Sequence, residues 1–416
     1  MTVATLADPA ARREVDAVLT DPALFGVYAH VPFCLSRCHY CDFVTYTGME
    51  GLRRPYAAAL LAEAELAVAA LVRAEAERPT VTSVFVGGGT PTLLPAADLA
   101  RVLDRLRALL PFAPDPEVTV EANPETVTPE VAATLVAAGV NRVSMGAQSF
   151  DGQVLAALGR THDARRPGEA VAALRAAAAR AGADLSLSLD LIYGCPEEDE
   201  ASWVSSLAAA VALEPDHLSA YALTIEPATK FGRLVAAGRM AEPDEDLLAD
   251  RYHTTCETLA AAGYEHYEVS NWAKPGQASR HNRTYWRRGH YLGLGAGAHE
   301  FTGETRRWNT GSVPDYLAAV RAGRRPVAGE ETLDAGQARF EALALRLRTS
   351  DGLSAAEARV LGVDPTGAEV ANLRAAGLLA HDNPGDQDQG QGPGPGLRLS
   401  EQGMFLHGEV VSRLAP

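Results

Sequence analysis

The sequence is poor in the residues on which secreted, membrane and nucleic-acid-binding chains rely. It has five cysteines in 416 residues and no pairing pattern, which excludes a small disulfide-built scaffold. Positive charge is scarce: 37 Lys and Arg stand against 53 Asp and Glu, a formal net charge of −16. Such a surface repels phosphate backbones, so nucleic acid is not an expected partner. No stretch is expected to span a membrane, since 207–213 is too short and 170–183 is interrupted by Arg175 and Arg180. The first residues lack a basic run followed by an apolar one, so no signal peptide is expected. These absences predict a cytoplasmic protein. In that reducing compartment, clustered cysteines serve metals more often than crosslinks.

What is present is a repeated unit. From Tyr28 to about residue 225, a short β-branched or aromatic run is followed by a polar or glycine motif and then a helical stretch. Strands are predicted at 27–32, 82–88, 117–122, 142–147, 185–194 and 217–226. Helices are predicted at about 53–77, 96–110, 129–138, 166–182 and 201–213. Such alternation makes a parallel sheet with right-handed crossovers. Six units predict an α/β fold, an incomplete (β/α)6 barrel rather than a closed eight-stranded one. The polar motifs all sit at the strands' C-terminal ends: "CLSRCHYC", "GGGTPT", "EANPE", "GAQSF", "DLIYG" and "TIEP" in turn. Active sites of α/β barrels are built at that end.

The expected organisation is an N-terminal lead (1–27), a partial barrel (28–235), an aromatic- and histidine-rich extension (236–330) and a C-terminal module (331–416). The last reads as helix–turn–helix plus a β-wing, with a low-complexity hairpin tip at 383–396. It lacks a basic recognition helix, so an intramolecular lid or a partner-docking module is expected rather than DNA binding.

Three cysteines fall in C-x3-C-x2-C spacing: Cys34, Cys38 and Cys41. Zinc could take them with His39 or His30 as fourth ligand. An iron–sulfur cluster could take the three thiolates and leave one iron open. The strand-end motifs offer ligands for whatever binds there. "GGGTP" (87–91) permits close backbone approach but is not a P-loop, since no Gly-Lys-Ser/Thr follows. Glu121, Gln148, Arg160 and Asp190 suit an amine, a carboxylate and ribose hydroxyls. Each alone could be an ordinary buried polar residue; together they outline a zwitterionic nucleoside. Cys195 and Cys256 read as packed thiols.

The ordered set "YAHVPFCLSRCHYCDF", "GGGTPT", "VEANPE", "SMGAQSF", "LGRTHD", "DLIYG" and "LTIEP" resembles the radical S-adenosylmethionine (SAM) superfamily, and within it the oxygen-independent coproporphyrinogen oxidase branch. The resemblance runs to at least Asn309. It implies a [4Fe–4S] cluster on Cys34, Cys38 and Cys41, with SAM chelating the fourth iron and cleaved by one electron. It also implies a cofactor site of Tyr28, Gly88, Gly89, Thr90, Glu121, Gln148, Arg160 and Asp190.

The branch divides within the cysteine motif. Coproporphyrinogen dehydrogenases carry a further cysteine where this chain has Phe43, so their oxidative decarboxylation is not expected here. "CDF" and "HNRTYW" instead resemble the haem chaperones of the HemW type. That likeness implies haem as cargo, near His281, Asn282, Tyr285 and Trp286, and delivery to apo-haemoproteins such as respiratory enzymes. A membrane contact through those acceptors and a homodimer are both compatible with it. His299 reads as structural. The remaining alternatives are the decarboxylase and a methylase or cyclopropanase of the same branch.

Overall fold

A computed structural model describes residues 20–74, 78–380 and 396–415. Six strands form the expected series: β1 (Phe25–Val31), β2 (Val81–Gly88), β3 (Phe112–Ala122), β4 (Arg142–Gln148), β5 (Ser186–Tyr193) and β6 (His217–Ala222). They pair in chain order and in parallel. The crossover helices are Arg53–Ala74, Ala96–Leu109, Pro129–Ala137, Arg166–Ala181 and Glu200–Ala212.

The extension supplies the rest of the sheet. Its strands are β7 (Glu265–Glu268), β8 (Asn271–Ala273), β9 (His290–Leu294), β10 (His299–Thr302), β11 (Thr305–Asn309) and β12 (Val327–Thr332). β9 lies parallel to β1, from Phe25 opposite His290 to Ala29 opposite Leu294, so seven strands run parallel. β10, β11 and β12 continue antiparallel from β9, and β8 and β7 antiparallel from β6. Among the described residues the sheet does not close on itself. β12 straddles position 330, where the sequence suggested a boundary.

Alternation along each strand divides its residues between two environments. Val27, Ala29, Val31, Val84, Val86, Val118 and Val120 are buried in the apolar core. The intervening positions are polar or aromatic and bond to one another inside the barrel: Tyr28 to His30, Ser144 to Asp190, Ser188 to His217. The helix Arg280–Trp286 plugs this interior near the strand N-termini. Glu117 of β3 accepts the backbone N–H of Arg280 (2.8 Å) and of His281 (2.9 Å), satisfying free donors of the helix's first turn.

Two expectations need correction. An 18-residue window within Glu50–Arg73 has a mean hydropathy of 1.6, so this helix is long and apolar enough to cross a membrane. Half of that window is buried in the protein, because Tyr56, Leu60, Ala64, Ala67 and Leu71 pack in the core.

Among its described residues the C-terminal module does not form a lid on the cysteine end. Its helices Ala335–Leu347, Ala355–Val360, Ala368–Ala375, Glu401–Phe405 and His407–Leu414 accompany bridges between Leu353 and Leu397 and between Leu379 and Leu399. Arg348 donates to Glu268 (2.6 Å) and lies over the Trp286 ring. Asp351 accepts from Arg283 and Arg287, and Glu341 from Arg288. Apart from Glu268 of β7, these partners lie in or just after the helix that plugs the strand N-termini, the opposite end from the cysteines. The expected hairpin tip lies almost wholly outside the described residues.

Candidate cofactor site

The loop after β1 carries the cysteines and is stitched to the loop after β2. Gly89 N–H donates to Val31 O and Thr90 N–H to Phe33 O, both at 2.8 Å. Glycine is required here: a Cβ at Gly89 would lie 2.8 Å from Phe33 O, 2.9 Å from Val31 O and 3.1 Å from Cys34 Sγ. At Gly88 φ is +110°, and a Cβ would meet the His30 ring at 2.3 Å. The short helix Gly152–Leu158, unmarked in the sequence reading, is capped by Asp151 and ends at Gly159 in the left-handed region. It delivers Arg160 to the cysteines. Arg160 donates to Cys38 Sγ (3.4 Å), Asn123 Oδ1 (2.8 Å) and Gly146 O (2.9 Å).

Cys34, Cys38 and Cys41 are half-buried free thiols at one mouth of a cavity of about 410 Å³. Its walls include Gly88, Gly89, Glu121, Gln148, Arg160 and Asp190, together with Asn123, Ser144 and Tyr221. Burial pushes the Cys34 thiol up to about 11, opposed by a contact from Thr90 Oγ1, and burial also raises Cys41. Loading iron here therefore displaces protons.

Glu121 accepts the Gly88 N–H at 2.8 Å. Burial raises its carboxyl to about 7, against that hydrogen bond and with Asp190 adding repulsion. Asp190 is also raised by burial, although Ser219 (2.7 Å) and Ser144 (3.2 Å) donate to it. Gln148 has φ +64°, a left-handed backbone that a non-glycine residue rarely takes, at a register shift of β4 against β5.

The donor set fits a cluster better than a single ion. Among the described residues no three His, Cys, Asp or Glu side chains converge closely enough to chelate one metal ion. Ligands of a cluster each meet a different iron and so stand further apart than ligands of one ion. The suggested fourth zinc ligands are engaged. His30 contacts Tyr28 Oη and Val44 O, and His39 contacts Ala157 O and Lys230 Nζ. Cys195 and Cys256 are buried elsewhere.

Three sequence-predicted residues sit differently from expectation. Thr90 is buried behind the cysteine loop, reaching Cys34 rather than the cavity wall. Tyr28 lines a neighbouring cavity of about 320 Å³ with Tyr285, Tyr291 and His299. His281 is 0% exposed, and both ring nitrogens are engaged, with Ser83 Oγ and Tyr285 Oη at 2.8 Å each. Burial, with Arg142's charge adding, pushes its pKa down to about 3. In this arrangement His281 is neutral and offers no free nitrogen to an iron. The "HNRTYW" motif is thus dispersed: His281 in the barrel interior, Asn282 at the helix start that Ser279 caps, Tyr285 at the second cavity and Trp286 under Arg348. Asn123 and Ser144 are site residues the sequence reading did not single out. Asn123 stood in the quoted "EANPE" and Ser144 at the start of the quoted "SMGAQSF".

An open parallel α/β barrel with three thiols at its C-terminal rim is the architecture of the radical SAM superfamily, whose family model matches residues 28–209. The chain is 48% identical to the haem chaperone HemW of Mycobacterium tuberculosis (strain CDC 1551 / Oshkosh) over 332 residues, 79% of this chain and 83% of that protein. It is 41% identical to HemW of Escherichia coli (strain K12) over 276 residues, 66% and 69% of the two chains. The chain belongs to the HemW family of radical SAM proteins. The solved coproporphyrinogen III oxidase HemN of Escherichia coli shares the fold, with a TM-score of 0.75, 22% identity and coverage of 97% of this chain and 93% of that one. Superfamily membership implies a [4Fe–4S] cluster and SAM.

Proposed function

We propose that the protein is a cytoplasmic haem chaperone that carries haem to apo-haemoproteins such as respiratory enzymes. The observation that carries this reading is the three-cysteine cavity in a chain with the HemW relatives described above, with Phe43 at the place of a dehydrogenase's extra cysteine. Phe43 is 62% exposed at the mouth of that cavity.

Cys34, Cys38 and Cys41 would hold the cluster, and Gly88, Gly89, Glu121, Gln148, Arg160 and Asp190 would hold SAM. When bound, the pair supplies a one-electron donor and a cleavable sulfonium. Arg160 places a positive charge beside Cys38. The glycine turn admits a ligand's polar end to backbone groups, and the buried carboxyls of Glu121 and Asp190 present acceptors to a cation or hydroxyls. We read this site as gating haem transfer rather than turning over a substrate.

The test is anaerobic reconstitution followed by haem titration, with 5′-deoxyadenosine measured in parallel. Haem binding and transfer to an apo-haemoprotein are expected, without stoichiometric SAM consumption. A wild-type chain that takes up no haem ends this reading, and conversion of coproporphyrinogen III would replace it with oxidative decarboxylation. Replacement of Cys34, Cys38 or Cys41 by alanine should abolish the absorbance near ~400 nm that marks an iron–sulfur site. Cys195→Ala and Cys256→Ala should leave it.

A further inference from the structure

We infer that the second cavity, walled by Tyr28, Phe43, Tyr285, Tyr291 and His299, is the haem-docking site, with His299 as ligand to the iron. The inference rests on the haem-chaperone reading and gives it a location.

Three imidazoles lie in or behind this wall, and two are committed. Both nitrogens of His30 are engaged, with Tyr28 Oη and Val44 O at 2.9 Å each. His281 lies behind Tyr285 with both of its nitrogens engaged. His299 is exposed at the start of β10, and neither ring nitrogen has a hydrogen-bond partner among the described residues. Its ring stacks on Trp308, with centroids 6.0 Å apart and planes at 24°, which fixes its orientation without using its nitrogens. An imidazole with a free lone pair, held by stacking at the edge of a cavity, is equipped to bind a haem iron. Burial and the neighbouring Arg306 lower its pKa, against Glu331, which favours the neutral form that ligates.

The rest of the cavity suits a flat aromatic cargo. Tyr285 and Tyr291 meet edge to face at 4.7 Å and 83°, so the walls offer both ring faces and edges. The cavity, at about 320 Å³, is smaller than a haem. Part of the macrocycle must therefore stay outside, where an acceptor can reach it. A resident cofactor would be enclosed; a cargo has to leave.

The location also ties cargo to cofactor. Asp42 and Phe43 line both this cavity and the cysteine cavity. At Gly297 φ is +77°, and a Cβ would lie 2.9 Å from Val44 Cγ2. The turn that presents His299 thus rests on the segment leaving the cysteine loop. Any shift of that segment on cluster or SAM loading reaches the haem ligand directly.

The experiment is haem titration of the full chain, comparing wild type, His299→Ala and His299→Cys, followed by Soret position and Kd. The alanine variant is expected to lose the histidine-type Soret band, to bind haem at least roughly tenfold more weakly, and to recover the wild-type spectrum on adding imidazole. The cysteine variant is expected to move the band to a thiolate-type position. If wild type binds haem and both variants keep its spectrum and affinity, the iron ligand is elsewhere; this inference fails while the chaperone reading stands. Loss of binding in the alanine variant that imidazole does not restore, with an unchanged spectrum in the cysteine variant, also overturns it. If wild type binds no haem, both fail together.

Discussion

Arg160 donates to Cys38 Sγ at 3.4 Å, across 122 positions of sequence. The same guanidinium holds Asn123 Oδ1 and Gly146 O, so one side chain fastens the cysteine loop to the ends of β3 and β4. Arg160→Met should lower the iron bound per chain on reconstitution and weaken SAM binding by roughly tenfold, about 1.4 kcal/mol. Arg160→Lys should restore little, because a point charge cannot make three divergent contacts. Iron and sulfide assay with SAM titration measures both; full iron in the methionine variant would remove Arg160 from the site.

Gly89→Ala tests the stitching of the two loops. The added methyl group must displace the Val31 and Phe33 carbonyls or the Cys34 sulfur. The expected cost is about 1–3 kcal/mol of stability, with less cluster formed. Thermal melting of the apo chain separates the two effects. Gly51→Ala, where a Cβ meets nothing within 4 Å, is the control.

Glu63 makes stability depend on pH. It is 0% exposed and accepts from Gly295 N (2.7 Å), Tyr316 Oη (2.7 Å) and Asn309 Nδ2 (2.6 Å). Burial nonetheless raises its carboxyl from 4.5 to about 7, outweighing those three donors. Between about pH 4.5 and 7 the unfolded chain has released this proton and the folded chain keeps it, so stability falls as pH rises through that window. Glu63→Gln should reduce that slope while lowering stability overall, since its amide must face groups that already donate. Urea unfolding at several pH values reads the slope; an unchanged slope would assign the dependence to other carboxyls.

His281→Ala should destabilise the protein rather than act locally on haem. It opens a void inside the barrel and leaves Ser83 Oγ and Tyr285 Oη without their shared partner. The expected loss is about 3 kcal/mol or more, seen as an earlier urea midpoint in the apo chain. A variant as stable as wild type that binds no haem would instead make His281 the ligand.

Much of the barrel was legible because its signals are local. Valine-rich runs ending in glycine, asparagine or glutamine motifs mark strands whose polar ends converge, and the six predicted strands lie where β1 to β6 do. What escaped depends on partners distant in sequence. Nothing in "HYLGL" says that β9 will lie beside β1 rather than beside β8. Nor does "HNRTYW" reveal that its histidine points inward to Ser83, because a helical turn with His, Tyr and Trp suits an open site as well as a plug. Nor does "GAGAHEF" show that His299 is exposed at the start of β10. The cysteine motif, the glycine turn, Glu121 and Gln148 stood out as candidates because they lie at or just beyond strand ends, whereas Arg160 follows a short helix. The fastening role of Asn123 did not stand out, since its partners are Thr90 after β2 and Arg160 beyond the Gly152–Leu158 helix.

The pairing of β9 with β1 has a consequence for synthesis. β1 carries the cysteine loop, and one of its two neighbours in the sheet comes from residues 290–294. As the chain emerges from the ribosome, β1 can acquire β2 early but lacks its other flank until most of the protein has been made. A pairing of such long sequence separation forms late. The loop that holds Cys34, Cys38 and Cys41 is therefore among the last parts of the barrel to become rigid, and cluster insertion belongs after translation rather than during it.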